Sequence, residues 1–144
     1  MGKSTTIHFL AGSEMVETEI GSLTHIGPIK VNNPQAEEII TGPFAFSVTK
    51  FINCVNVDGF IICDSPGFED TQGHEVDIAN GVGVVNGIRG CKSVLVGIVV
   101  SFKSTGERYK GIKSLAKLVS SMFTDLDNHI GTFIYIFTKF SEKD

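Results

Sequence analysis

The dipeptide Asp58-Gly59 lies between two runs of strand-forming residues, and it restricts the fold more than any other feature of the chain. A two-residue turn with both backbone φ angles positive suits Asp-Gly and forces the flanking segments to pair antiparallel. The reading is a strand over residues 46–57, the turn, and a short buried strand over Phe60-Ile61-Ile62-Cys63. Such a turn puts Cys54 directly opposite Cys63. Two buried thiols is the plain expectation for that pair, with a redox pair as the alternative. The second strand ends at Asp64-Ser65-Pro66-Gly67, where Pro and Gly take the chain out of a sheet.

Elsewhere, hydrophobic periodicity sets the expected elements. Lys3 to Leu10 reads as a helix, Ala11 to about Thr24 as a polar loop, and His25 to Val31 as a short strand. Glu75 to Ile88 reads as a helix in spite of three glycines. Ser93 to Ser101 is apolar and β-branched, which suits a buried strand. Gly106 to Asn128 has Ile112, Leu115, Leu118, Val119 and Met122 at helical spacing, and Thr132 to Phe137 is a final strand. Buried strands alternating with helices point to an α/β class, with a mostly parallel sheet, helices on both faces and one antiparallel hairpin strand.

Bulk properties narrow the function. The 144 residues carry a net charge of −4, and no Lys/Arg cluster marks a nucleic-acid binder. No apolar run reaches the ~20 residues of a membrane-spanning helix, so no transmembrane segment is expected. Three cysteines, an odd count, and no secretory signal pattern at the start give the expectation of a reducing, cytoplasmic setting. The histidines other than His74 (His8, His25 and His129) are scattered, without metal-site spacing.

The residues that carry chemistry sit at the segment ends. Gly2-Lys3-Ser4-Thr5 matches the end of a phosphate-binding loop. Backbone N–H groups at a helix start point at phosphate oxygens, and Gly2 lets the backbone come close without a Cβ. Lys3 then reaches the β- and γ-phosphates, and the Ser4 hydroxyl ligates magnesium. Asp64, ending a strand, supplies a carboxylate that holds magnesium directly or through water. Three residues on, the Gly67 N–H is placed to approach the γ-phosphate.

Gly2-Lys3-Ser4-Thr5, Ser47-Val48-Thr49-Lys50, Asp64-Ser65-Pro66-Gly67-Phe68 and Thr138-Lys139 together resemble the motifs of P-loop GTPases of the translation-factor class, nearest to its septin-like and immunity-associated branch. The resemblance implies a Ras-like, three-layer α/β/α domain over residues 1–144 that binds GTP or GDP with Mg2+ as cofactor. It also implies that this G domain is incomplete: its first strand is missing, as is the region after Asp144. That strand lies mid-sheet in such a domain, so the strands containing Asp64 and Val94 would lack their central neighbour. By the same resemblance Thr49 is the switch threonine that closes on magnesium, with Thr41 as its rival, and Thr138 and Lys139 frame the base. A homodimer pairing across the nucleotide face is the expected assembly.

The chain departs from the family pattern at two positions. Ser141 stands where the family has the guanine-reading aspartate, and a hydroxyl lacks two anionic acceptor oxygens. Phe68 stands where Ras-type enzymes place the water-orienting glutamine, and an apolar ring cannot orient water. Gln72, His74 and a group from a partner chain are the alternatives for that task; Arg89 and Arg108 read as solvated charges. The main expectation is therefore slow GTP hydrolysis as a switch or assembly module. A scaffold that keeps the fold without turnover, and an ATP-binding P-loop protein, are the alternatives.

Overall fold

The computed structural model describes residues 2–42, 52–65, 74–102, 110–123 and 125–139. Two compact units divide the chain, one formed by Lys3–Cys91 and the other by Met1–Gly2 with Lys92–Asp144.

In the Lys3–Cys91 unit, helix α1 covers Lys3–Leu10, with the bounds its sequence suggests. Strands β1 (Glu14–Ile20) and β2 (Leu23–Lys30) follow, paired antiparallel with Ile20 opposite Leu23. The expected strand over His25 to Val31 is β2, with its bounds shifted toward Leu23, whereas the polar loop expected from Ala11 to about Thr24 is corrected, since Glu14–Ile20 forms β1. The two-residue Gly21-Ser22 link is itself a hairpin signal, and Gly21 has φ 65° as such a turn requires. The run escapes a burial-based reading because nearly all of β1 faces solvent.

Next come a 3-10 turn at Pro34–Ala36, capped by the Asn33 side chain on the Gln35 N–H, and then β3 (Asn53–Val57) and β4 (Phe60–Asp64). Their register is the one the Asp58-Gly59 turn dictates, Val57 opposite Phe60 and Cys54 opposite Cys63. Asp58 has φ 49° and Gly59 φ 87°, both positive. The unit ends with helix α2 (His74–Arg89). Its core gathers Ile7 of α1, Ala36, Ile39 and Val55 of β3, with Ala11, Val31, Val57 and Ile62 packed around them.

In the other unit, β5 (Val96–Ser101) and β6 (Phe133–Thr138) run parallel, with Val96 opposite Phe133 and Ser101 opposite Thr138. Helix α3 (Lys110–Met122) and the short α4 (Leu126–His129) lie between them in sequence. Leu115 and Val119 of α3, with Phe123 and Leu126, pack on Ile98, Val100 and Phe133. The rings of Phe123 and Phe133 meet edge to face at 5.2 Å.

The expected Ras-like three-layer architecture with one mostly parallel sheet is not what forms. Among the described residues there are three separate two-stranded sheets, β1–β2, β3–β4 and β5–β6, and two of them are antiparallel. No described strand joins β4 to β5 by backbone hydrogen bonds, so each pair stays its own sheet. Alternation of apolar segments identifies strands, but the pairing partner of an edge is not encoded in that alternation. Among the described residues, no helix is long and apolar enough to cross a membrane.

Candidate functional site

The period-2 side-chain alternation of β4 decides the site. Val55 and Asp64 point to the inner face of the β3–β4 hairpin and are 0% and 1% exposed, whereas Cys54, Ile61 and Cys63 point outward. A carboxylate buried this deeply needs hydrogen-bonded partners. Ser4, on the first turn of α1, donates its hydroxyl proton to Asp64 Oδ2 at 2.6 Å. This is the length of a charge-assisted O–H···O⁻ bond. The two residues are 60 positions apart in sequence.

The helix bearing Ser4 is held firmly. Ile7 packs in the core, and His8, 1% exposed, joins Ser13 Oγ through Nδ1 at 3.1 Å and the Ile39 carbonyl through Nε2 at 2.7 Å. The Nε2 nitrogen therefore carries a proton, because a carbonyl only accepts. Thr5 donates to the Ile26 carbonyl of β2 at 3.4 Å, a contact that fastens α1 to the first hairpin. Lys3 is half-buried at the start of the same helix. His8 has no metal-site spacing in the sequence. Its two hydrogen bonds are structural, and no short-range pattern marks them, since Ile39 lies 31 residues away.

Ser4 of α1 and Asp64 of β4 thus meet, and Lys3 shares the helix of Ser4. The donor set fits a hard cation. A serine hydroxyl and a carboxylate are the oxygen ligands that magnesium takes, and it commonly completes its shell with water and phosphate. Among the described residues no cluster of three or more His, Cys, Asp or Glu side chains occurs.

The remaining expected site residues separate into two groups. Gly2, Thr138 and Lys139 belong to the second unit. Gly2 has φ 126°, a backbone conformation that strains any side chain, and a Cβ there would lie a tight 3.3 Å from Thr138 Oγ1. Thr138 Oγ1 is buried and has no hydrogen-bond partner among the described residues. Lys139 is exposed, with φ 61°, a left-handed conformation that costs a non-glycine residue about 1–2 kcal/mol. Thr49, Gly67, Phe68, Gln72 and Ser141 lie outside the described residues. Thr41, the rival switch threonine, sits against β2, with its hydroxyl 3.3 Å from His25 Nε2.

No family model matches the chain, and no curated protein or solved structure does.

One further feature departs from expectation. Cys54 and Cys63 are joined by a disulfide across the β3–β4 pair, with Cα atoms 4.1 Å apart, and both residues are exposed. Two buried thiols were expected. The alternation explains the difference: with Val55 and Asp64 inward, their neighbours Cys54 and Cys63 must face out.

Proposed function

We propose that the chain binds a guanine nucleotide with magnesium and hydrolyses it slowly, as a switch or assembly module. The observation that carries this reading is the Ser4–Asp64 hydrogen bond at 2.6 Å. A hydroxyl after a Gly-Lys pair and a carboxylate at a strand end are the two protein ligands that P-loop proteins bring to magnesium. Here each is the other's neighbour although 60 residues separate them.

In this reading, Lys3 binds phosphate oxygens as a cation at a helix start, where backbone N–H groups already favour an anion. Ser4 and Asp64 hold magnesium, which when bound neutralises charge on the phosphates. Burial of Asp64 strengthens its hold, since water screens it little. The roles of Thr49 and Gly67 at the γ-phosphate, and of Thr138 and Lys139 at the base, rest on the sequence resemblance.

A titration with a fluorescent GTP analogue, with magnesium and with EDTA, tests the reading. Binding should need magnesium. Lys3→Ala should weaken it about 10-fold or more, the worth of a charge-assisted contact. Asp64→Asn should remove the magnesium dependence. Equal binding in EDTA, together with an unaffected Lys3→Ala variant, would sink the proposal. Competition by ATP as strong as by GTP removes guanine selectivity. Tight binding with no phosphate release over hours favours the scaffold without turnover, the outcome that Phe68 anticipates.

A further inference from the structure

The β3–β4 hairpin has five cross-strand pairs, from Val57–Phe60 at the turn to Asn53–Asp64 at the open end. The Asp58-Gly59 turn closes one end covalently. The Cys54–Cys63 disulfide closes the other, one pair short of Asp64. Cys63 directly precedes Asp64, and Cys54 directly follows Asn53, the residue opposite Asp64. The cross-link therefore clamps the strand end that presents the buried carboxylate to Ser4.

Its position also makes it reachable. Both cysteines are exposed on the outer face, while Val55 and Asp64 occupy the inner one. A thiolate can approach either sulfur without opening the core around Ile7, Ala36, Ile39 and Val55. Exposed disulfides are the ones that exchange readily.

We propose that Cys54–Cys63 is a thiol-exchange site for a dithiol reductant, and that opening it loosens Asp64 and so weakens the hold on magnesium. The thiolate of the reductant attacks one sulfur, the Cys54–Cys63 bond breaks, and a mixed disulfide forms. The second thiol of the reductant then attacks that mixed disulfide. Two electrons and two protons pass to the pair, leaving two cysteine thiols and the oxidised, cyclised reductant. Oxidised dithiol, in excess, drives the reverse.

The mechanical consequence follows from where hairpins fray. Opening begins at an unclamped strand end, where the fewest contacts must break. The Asn53–Asp64 pair is the open end, and with the cross-link gone fraying that starts there is no longer stopped at the next pair and runs on into the ladder. The carboxylate then samples positions away from Ser4, and a ligand that needs both groups binds less well. The magnesium effect rests on the nucleotide reading above, whereas thiol exchange and fraying do not.

The test uses the full chain with the exposed free cysteine removed by Cys91→Ser, so that only the pair reacts. The protein is equilibrated across ratios of reduced to oxidised dithiothreitol, quenched with acid and labelled with a thiol-reactive mass tag. Intact mass should show molecules carrying no tag or two tags, exchanging in one two-electron step. Amide hydrogen exchange at Cys63 and Asp64 should be about 10-fold faster in the reduced form, with β1 and β2 unchanged. Magnesium-dependent binding of the GTP analogue should be about 5-fold weaker when reduced, the low end of coupling between linked sites. The Cys54→Ser/Cys63→Ser variant should show the reduced-form values in every buffer. Chemical reduction of the parent chain gives the same comparison if that variant does not fold.

Two thiols that label in every buffer, or amide exchange at Asp64 equal in both forms, overturn the proposal. Nucleotide affinity equal in both forms overturns its magnesium consequence. No nucleotide binding by either form, with the exchange difference intact, overturns the nucleotide reading and supports the thiol-exchange site.

Discussion

The two hairpins of the Lys3–Cys91 unit are built alike and do different work. Each has a two-residue turn with a positive-φ glycine, at Gly21 and at Gly59. The first is the longer, with strands of seven and eight residues against five and five. Yet the first leaves Ile20, Leu23, Ile26 and Ile29 exposed, and the only buried residue in its strands is Gly27. The second buries Val55 completely, carries Asp64 into contact with α1, and is cross-linked. Strand length and backbone ladder do not decide which hairpin anchors the fold. Inward side chains do, because removing apolar surface from water supplies the larger free energy.

The sharpest way to break that comparison is to put one charge into each hairpin. Val55→Asp places an unpaired carboxylate in the core and should cost about 4 kcal/mol or more, enough to unfold the unit. Ile29→Asp, at a position 69% exposed, should change stability by less than ~0.5 kcal/mol. Urea titration followed by circular dichroism measures both. Similar losses at the two positions would mean that the first hairpin is not the peripheral one.

A smaller effect tests the joint between the hairpins. His8 ties α1 to Ser13, just before β1, and to the Ile39 carbonyl. His8→Ala leaves both partners buried and should cost about 2 kcal/mol. Hydrogen exchange should then show α1 and Ile39 opening together, with β5 and β6 unaffected. A variant as stable as the parent would remove His8 from the framework that holds Ser4.

The smallest effect is expected at the open end of the first hairpin. Lys30 Nζ lies 3.0 Å from Glu14 Oε1, with both side chains more than half exposed. Solvent screens such a pair, so Glu14→Ala should cost at most about 0.5 kcal/mol. A double-mutant cycle with Lys30→Ala measures the coupling. A value above ~1 kcal/mol would show that the ion pair clamps the first hairpin as the disulfide clamps the second.

Local chemistry was legible where one short segment decides it. The bounds of α1 and the Asp58-Gly59 turn with its register follow from propensity and turn geometry, which depend on near neighbours alone. The Gly21-Ser22 turn was equally present in the sequence, but it sits in a stretch whose strands bury almost nothing and so show no apolar pattern.

Other features needed the folded chain. The sequence marks β4 and β5 as strands, but which edges pair depends on backbone hydrogen bonds between segments far apart. Among the described residues those bonds form three two-stranded sheets, where one mostly parallel sheet is the expectation. His8 has its role only because Ile39, 31 residues away, presents a carbonyl to it. The turn fixes that Cys54 faces Cys63, but their exposure was set by which face of the hairpin the core covers. The sequence by itself determined the turns and the helix carrying Ser4. Only tertiary structure decided the burial of Asp64, the outward disulfide and the division into separate sheets, because each arises from contacts between segments that local chain chemistry does not join.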